Sequence, residues 1–180
     1  MAENRVFLDP QEFTEKDLPI VVLVDDLRGG LGFLIKEHTS GNYNHAMIMV
    51  KPGKVVTQNN LLKELDIKDY LKSYKMLKFW SIKNLTKDEK RILCSTIAID
   101  LSKPWWERFY DYVGIFGQAI KIPAIQWPWA KYCSESVAGY LRLIPRFVSW
   151  LSRVPNPSEM DAVFKKHPAD VEVKGYWWSD

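Results

Sequence analysis

Cys133 and His45 are the residues of this sequence whose types and settings best suit covalent chemistry. Cys133 opens the stretch Cys133-Ser-Glu-Ser-Val-Ala-Gly-Tyr-Leu-Arg-Leu-Ile144, in which Val137, Tyr140, Leu141 and Ile144 fall on one side of a helix. A thiol at a helix N-terminus meets unsatisfied backbone N–H groups and the positive end of the dipole, and both favour the thiolate. The same N–H groups stabilise the oxyanion that forms when a thiolate attacks a carbonyl. The competing reading is an inert buried thiol, but Tyr132, Ser134, Glu135 and Ser136 are polar company for an apolar plug. Cys94, beside the apolar stripe of another helix, reads as a small buried hydrophobe.

A thiolate nucleophile needs a histidine within reach and a third group to orient the imidazole. His45 begins the run His45-Ala-Met-Ile-Met-Val50, which is followed by Lys51-Pro-Gly-Lys54 and Val55-Val-Thr-Gln58, the pattern of a β-hairpin. If Lys51 opposes Lys54, then Met47 opposes Gln58 and His45 opposes Asn60, and these four share one face. A single bulge swaps in Thr57 and Asn59 instead. The plainer reading of His45 is a strand-edge residue bonded to solvent. His38, in a loop, and His167, before Pro168, are weaker choices.

The elements that must position these residues follow from local pattern. Ile20–Val24 reads as a short buried strand, and Gly29, Gly30 and Gly32 as turn residues, since no phosphate-loop or dinucleotide fingerprint surrounds them. Residues 60–74 read as a short helix or turn leading to a strand at Met76–Ile82. Thr86 and Glu89 form a capping box that opens an amphipathic helix to about Leu101, with Leu93, Ile97 and Leu101 at spacing four. An aromatic cluster fills residues 105–117. Pro155–Glu159 reads as surface loop, and Val171–Val173 as one late strand.

At 180 residues, 47% hydrophobic and 26% charged, the chain is expected to fold as one α+β domain spanning residues 1–180. That domain would hold a small antiparallel sheet of about four to six strands packed against the Cys133 helix and the capped helix. The net charge of +3 is scattered, so nucleic acid is not an expected partner. Two cysteines and three dispersed histidines suggest neither a disulfide framework nor a metal site, and no cofactor is implied. With no apolar stretch near ~20 residues and no leader-like N-terminus, no transmembrane segment and a cytoplasmic location are expected. The eight tryptophans read mostly as core, though those near a site could line a groove.

Asn44-His45-Ala-Met-Ile-Met-Val, followed much later by Tyr132-Cys133-Ser134-Glu135-Ser-Val-Ala, resembles the permuted branch of the NlpC/P60 papain-like superfamily. In that branch the His strand precedes the Cys helix, as here. The resemblance covers roughly residues 19–162 in the order of elements, and Pro157-Ser158-Glu159-Met160 is similar to the proline-led turn that follows the Cys helix. It implies a permuted papain-like fold and a thiol hydrolase: Cys133 as nucleophile, His45 as general base and Gln58 as the orienting polar residue, where many relatives place an acid. Tyr132, Ser134 and Trp129 are the expected substrate-binding residues. The implied substrates are peptide or cell-wall peptide amides, or lipid acyl esters. The alternatives are an acyltransferase resembling the lecithin:retinol acyltransferase group and a binding module whose chemistry has lapsed.

Overall fold

A computed structural model of the chain describes residues 8–25, 42–71, 76–109 and 133–178. Six strands form one antiparallel sheet: β1 (Ile20–Asp25), β2 (His45–Lys51), β3 (Lys54–Gln58), β4 (Leu62–Asp66), β5 (Met76–Ile82) and β6 (Val171–Trp178), in the order β4-β3-β2-β1-β5-β6. The helices of the described residues are α1 (Ile67–Leu71), α2 (Lys87–Ser102), α3 (Cys133–Leu141), α4 (Pro145–Val148) and α5 (Pro157–Lys166), with a 3₁₀ turn at Trp105–Glu107. The architecture is α+β.

Both faces of the sheet are covered, which accounts for apolar runs that do not alternate with polar residues. On the first face Val21, Leu23, Ala46, Ile48 and Val56 pack with Leu93 and Ile97 of α2, Val137, Ala138 and Leu141 of α3, and Met160 and Phe164 of α5. On the second face Ile20, Val22, Val24, Met47, Met49 and Val55 pack with Phe13, Leu18, and Ile67 and Tyr70 of α1. The strands that carry the candidate site are therefore clamped between two apolar layers.

The capping box expected at the start of α2 is present, with Thr86 Oγ1 accepting from Glu89 N at 3.1 Å and Glu89 Oε2 accepting from Thr86 N at 2.8 Å. Two expectations need correction. The short helix expected within residues 60–74 is present only at Ile67–Leu71, and residues 62–66 before it are a strand, because Lys63, Glu64 and Asp66 suit an edge whose charges discourage further pairing, while Leu62 and Leu65 at spacing three imitate a helix. Residues 157–166 are a helix: Asn156 is its N-cap, Pro157 holds the first turn and Glu159 closes a capping box.

A fully buried lysine ties α5 to the sheet. Lys78 Nζ lies 2.9 Å from Asp161 Oδ1, 4.6 Å from the centroid of the Trp80 ring and 5.4 Å from that of Tyr176. Asp161 also accepts from Trp80 Nε1 at 2.9 Å and pairs with Lys165 at 2.9 Å. Removing one member of a buried pair costs about 3–5 kcal/mol because the other charge is left uncompensated. Here Asp161 keeps Lys165 and Trp80, so Lys78→Met is expected to lower stability in urea unfolding by about 3 kcal/mol, the low end of that range. A loss below about 1 kcal/mol would show that the pair does not hold α5 to the sheet.

Candidate active site

His45 is the first residue of β2, and the chain reaches it under restraint. Asn44 N donates to Val24 O at 3.0 Å. Ser158, in the first turn of α5, accepts from Tyr43 N at 2.9 Å and donates to Tyr43 O at 3.1 Å. The second capped helix thus fixes the backbone two residues before the histidine.

The turn between β2 and β3 sets what His45 meets. Pro52 and Gly53 are its central residues, and Gly53 has φ 69°, a left-handed conformation open to glycine at no steric cost. Lys51 pairs with Lys54, yet Met49 pairs with Val55 and Met47 with Thr57, so Val50 is an extra residue in β2. A Pro-Gly turn of this hand does not match the right-handed twist of the strands, and a bulge beside it absorbs the mismatch.

The bulge puts Thr57, and not Gln58, on the face of His45. His45 Nε2 and Thr57 Oγ1 are 2.8 Å apart, both residues buried. The expectation that Gln58 orients His45 is corrected: its side chain turns to the opposite face, where Nε2 donates to Arg108 O at 2.8 Å. The network continues through residues that the sequence reading did not single out for chemistry. Tyr70 of α1, 3% exposed, is bonded by the Thr57 hydroxyl, and its oxygen accepts from Asn59 Nδ2 at 2.9 Å.

Cys133 is the first residue of α3 and is 2% exposed. The helix packs on β2 and β3 through Val137, Ala138 and Leu141, which meet the face opposite to the one that His45 and Thr57 share. The thiol is close enough to Tyr70 for a thiolate there to disfavour the phenolate. Burial is the larger cause of the upward shift of Tyr70, and the hydrogen bonds from Thr57 and Asn59 oppose it. Cys94 is the other free cysteine, and burial pushes its thiol up despite nearby Lys90 and Lys51.

The expected substrate-binding residues divide. Ser134 is fully buried and its hydroxyl donates to Pro155 O at 2.6 Å, so it anchors the start of α3 and has no free hydroxyl to offer a ligand. Tyr132 and Trp129 lie outside the described residues. Of the histidines set aside, His167 stacks on Trp150 at 4.1 Å, while His38 lies outside the described residues. Among the described residues no group of three His, Cys, Asp or Glu side chains is placed to hold a metal ion, and no helix is long and apolar enough to cross a membrane.

Beside the site, on the first face, a cavity of about 70 Å³ is lined by Gln58, Asp100, Lys103, Arg108, Ser136 and Tyr140, with Leu62, Glu107 and Phe109. Burial raises the Tyr140 phenol strongly, and Asp100, which accepts its hydrogen bond, raises it further. No protein-family model matches the sequence, and no curated protein is significantly similar to it.

The two buried tyrosines give a pH dependence of known sign. Each has a folded pKa above the unfolded value near 10, so its contribution is complete below about pH 10 and is lost above it. Stability is expected to fall by about 1.4 kcal/mol per pH unit for each tyrosine that ionises only on unfolding. Tyr140→Phe, less stable at neutral pH because Asp100 loses a donor, should lose about 1.4 kcal/mol less than the parent protein between pH 9 and 11 in urea unfolding, since the unfolded tyrosine is half ionised at the middle of that interval. An unchanged slope would mean that Tyr140 ionises in the folded protein.

Proposed function

We propose that this chain is a papain-like thiol hydrolase of permuted order, with Cys133 as nucleophile, His45 as base and Thr57 as the group that orients the imidazole. The observation that carries this reading is the buried contact of 2.8 Å between His45 Nε2 and Thr57 Oγ1; the Cys133 helix packs its apolar stripe on the other face of the same two strands, and its first residue, Cys133, lies within electrostatic reach of Tyr70, which Thr57 bonds. The His strand preceding the Cys helix, and an antiparallel sheet packed on that helix, support the permuted fold.

The chemistry runs through one nitrogen. In the proposed arrangement the Thr57 hydrogen is directed at Tyr70, the Thr57 oxygen accepts from His45 Nε2–H across their 2.8 Å contact, and Nδ1 is left as the basic nitrogen. Nδ1 takes the Cys133 proton, Sγ attacks the substrate carbonyl, and backbone N–H groups in the first turn of α3 hold the oxyanion. The imidazolium then protonates the leaving amine or alcohol, and water, deprotonated in turn by Nδ1, releases the acyl group. A hydroxyl fixes the tautomer but stabilises the imidazolium less than a carboxylate does, so slow turnover is the expected consequence. Peptide amides and acyl esters both fit this chemistry, and acyl transfer to an alcohol or amine is the same reaction with water replaced.

A second reading is favoured by one observation. Cys133 is only 2% exposed, the condition of a structural thiol, and a binding module that has kept the fold without the reaction fits that burial.

Iodoacetamide labelling separates the two readings. Followed by mass spectrometry against pH, Cys133 of the parent protein should label with a midpoint well below ~8.5, and Cys94 above it. His45→Ala should raise the Cys133 midpoint, and Thr57→Val should cut the rate at pH 7 on the order of tenfold, the worth of about one hydrogen bond. A Cys133 that labels no faster than Cys94 and is indifferent to His45 would leave the binding-module reading standing.

A further inference from the structure

We propose that Arg108 binds an anionic group of the substrate, a carboxylate or its equivalent, in the cavity beside Gln58; this inference rests on the hydrolase reading above. Arg108 is held in place by three contacts at the outer edge of the sheet. Its carbonyl accepts from Gln58 Nε2 at 2.8 Å and from Leu62 N at 2.8 Å, and its Nη1 donates to Leu62 O at 3.3 Å. The guanidinium so placed has no carboxylate within ion-pair distance among the described residues, and its Nε is enclosed without an acceptor. A half-buried cation lacking a counter-charge is an expense that a bound anion would remove.

The other charges on the cavity wall do not supply that counter-charge. Asp100 is committed to Lys103, 2.6 Å away, and to the Tyr140 hydroxyl. Glu107 is exposed, so water and salt screen its charge. Ser136 and Gln58 add a hydroxyl and an amide to the lining.

The cavity is placed to act on the reaction at Cys133. Ser136 follows Cys133 by one turn of α3, which puts their Cβ atoms about 5–6 Å apart. Gln58, which fixes Arg108, lies on the same face of β3 as the Cys133 helix, opposite to the face on which Thr57 contacts His45. A substrate whose carbonyl lies at Cys133 and whose remainder runs past Ser136 into the cavity would present its carboxylate to Arg108, whereas a long acyl chain would find charged and hydrogen-bonding walls there.

N-iodoacetylglycine and N-iodoacetylglycinamide react identically at sulfur and differ by one negative charge. The parent protein is expected to label at Cys133 several-fold faster with the acid than with the amide at pH 7 and low salt. In Arg108→Gln that preference should fall to near unity, and in Gln58→Leu, which keeps the guanidinium but frees its backbone, to an intermediate value. Melting temperatures of both variants establish that the comparison is made on folded protein. An acid-to-amide ratio near unity in the parent, or one that survives Arg108→Gln, overturns the assignment while leaving the hydrolase reading intact. A Cys133 inert to both reagents and indifferent to His45 overturns the hydrolase reading and this inference with it.

Discussion

One extra residue in β2, Val50, decides which side chain stands against His45. In a sheet, neighbouring residues point to opposite faces, so a slip of one position exchanges every contact of the strand. The Pro52-Gly53 turn forces the choice, because its twist is absorbed by a bulge at Val50. Thr57 is therefore brought to 2.8 Å from the imidazole, and Gln58 is sent to the other face to hold the Arg108 loop. The division between the two faces follows from that single insertion: a hydrogen bond to the His45 imidazole on one, shaping of a charged cavity on the other.

The remaining elements hold this strand end in place from both sides. Ser158 at the head of α5 grips the backbone of Tyr43 with two hydrogen bonds, and α5 is itself tied to β5 by the buried Lys78–Asp161 pair. Ser134 fastens the start of α3 to Pro155, just before the Asn156 cap of α5. The helix that begins with Cys133 and the strand that begins with His45 are thus referred to the same short stretch of chain, residues 155–158. Loosening that stretch would disturb both partners together, which is how a site built from residues far apart in sequence keeps its geometry.

Much of the fold was legible where local signals and tertiary demands agreed. The run Ile20–Val24, the Pro-Gly hairpin, the strand Met76–Ile82, the Thr86 capping box and the helix beginning at Cys133 all appear at or within a few residues of their expected positions. Strand β4 was not legible, because Leu62 and Leu65 with charges between them carry a helical spacing, and only its edge position makes the charges acceptable. Helix α5 was legible in principle, since Asn156-Pro157-Ser158-Glu159 is a capping signature, but Pro-rich composition reads first as loop. At the site, His45 and Cys133 could be chosen from residue type and setting. Thr57 could be reached only as the consequence of a bulge, which pattern allows but does not locate. Tyr70 and Arg108 gave no sequence signal at all, because their roles depend on which strand end they are folded against.

The reading of this site turns on which nitrogen of His45 is basic, and ¹⁵N–¹H correlation spectra of the imidazole measure that directly. Nε2 is expected to remain protonated at every pH at which the fold persists, bonded to Thr57, so that Nδ1 is the nitrogen that gains and loses a proton. If Nε2 proves to be the unprotonated nitrogen, accepting the Thr57 hydrogen while Nδ1 carries the proton, His45 cannot take the proton of Cys133, and the proposed chemistry is wrong.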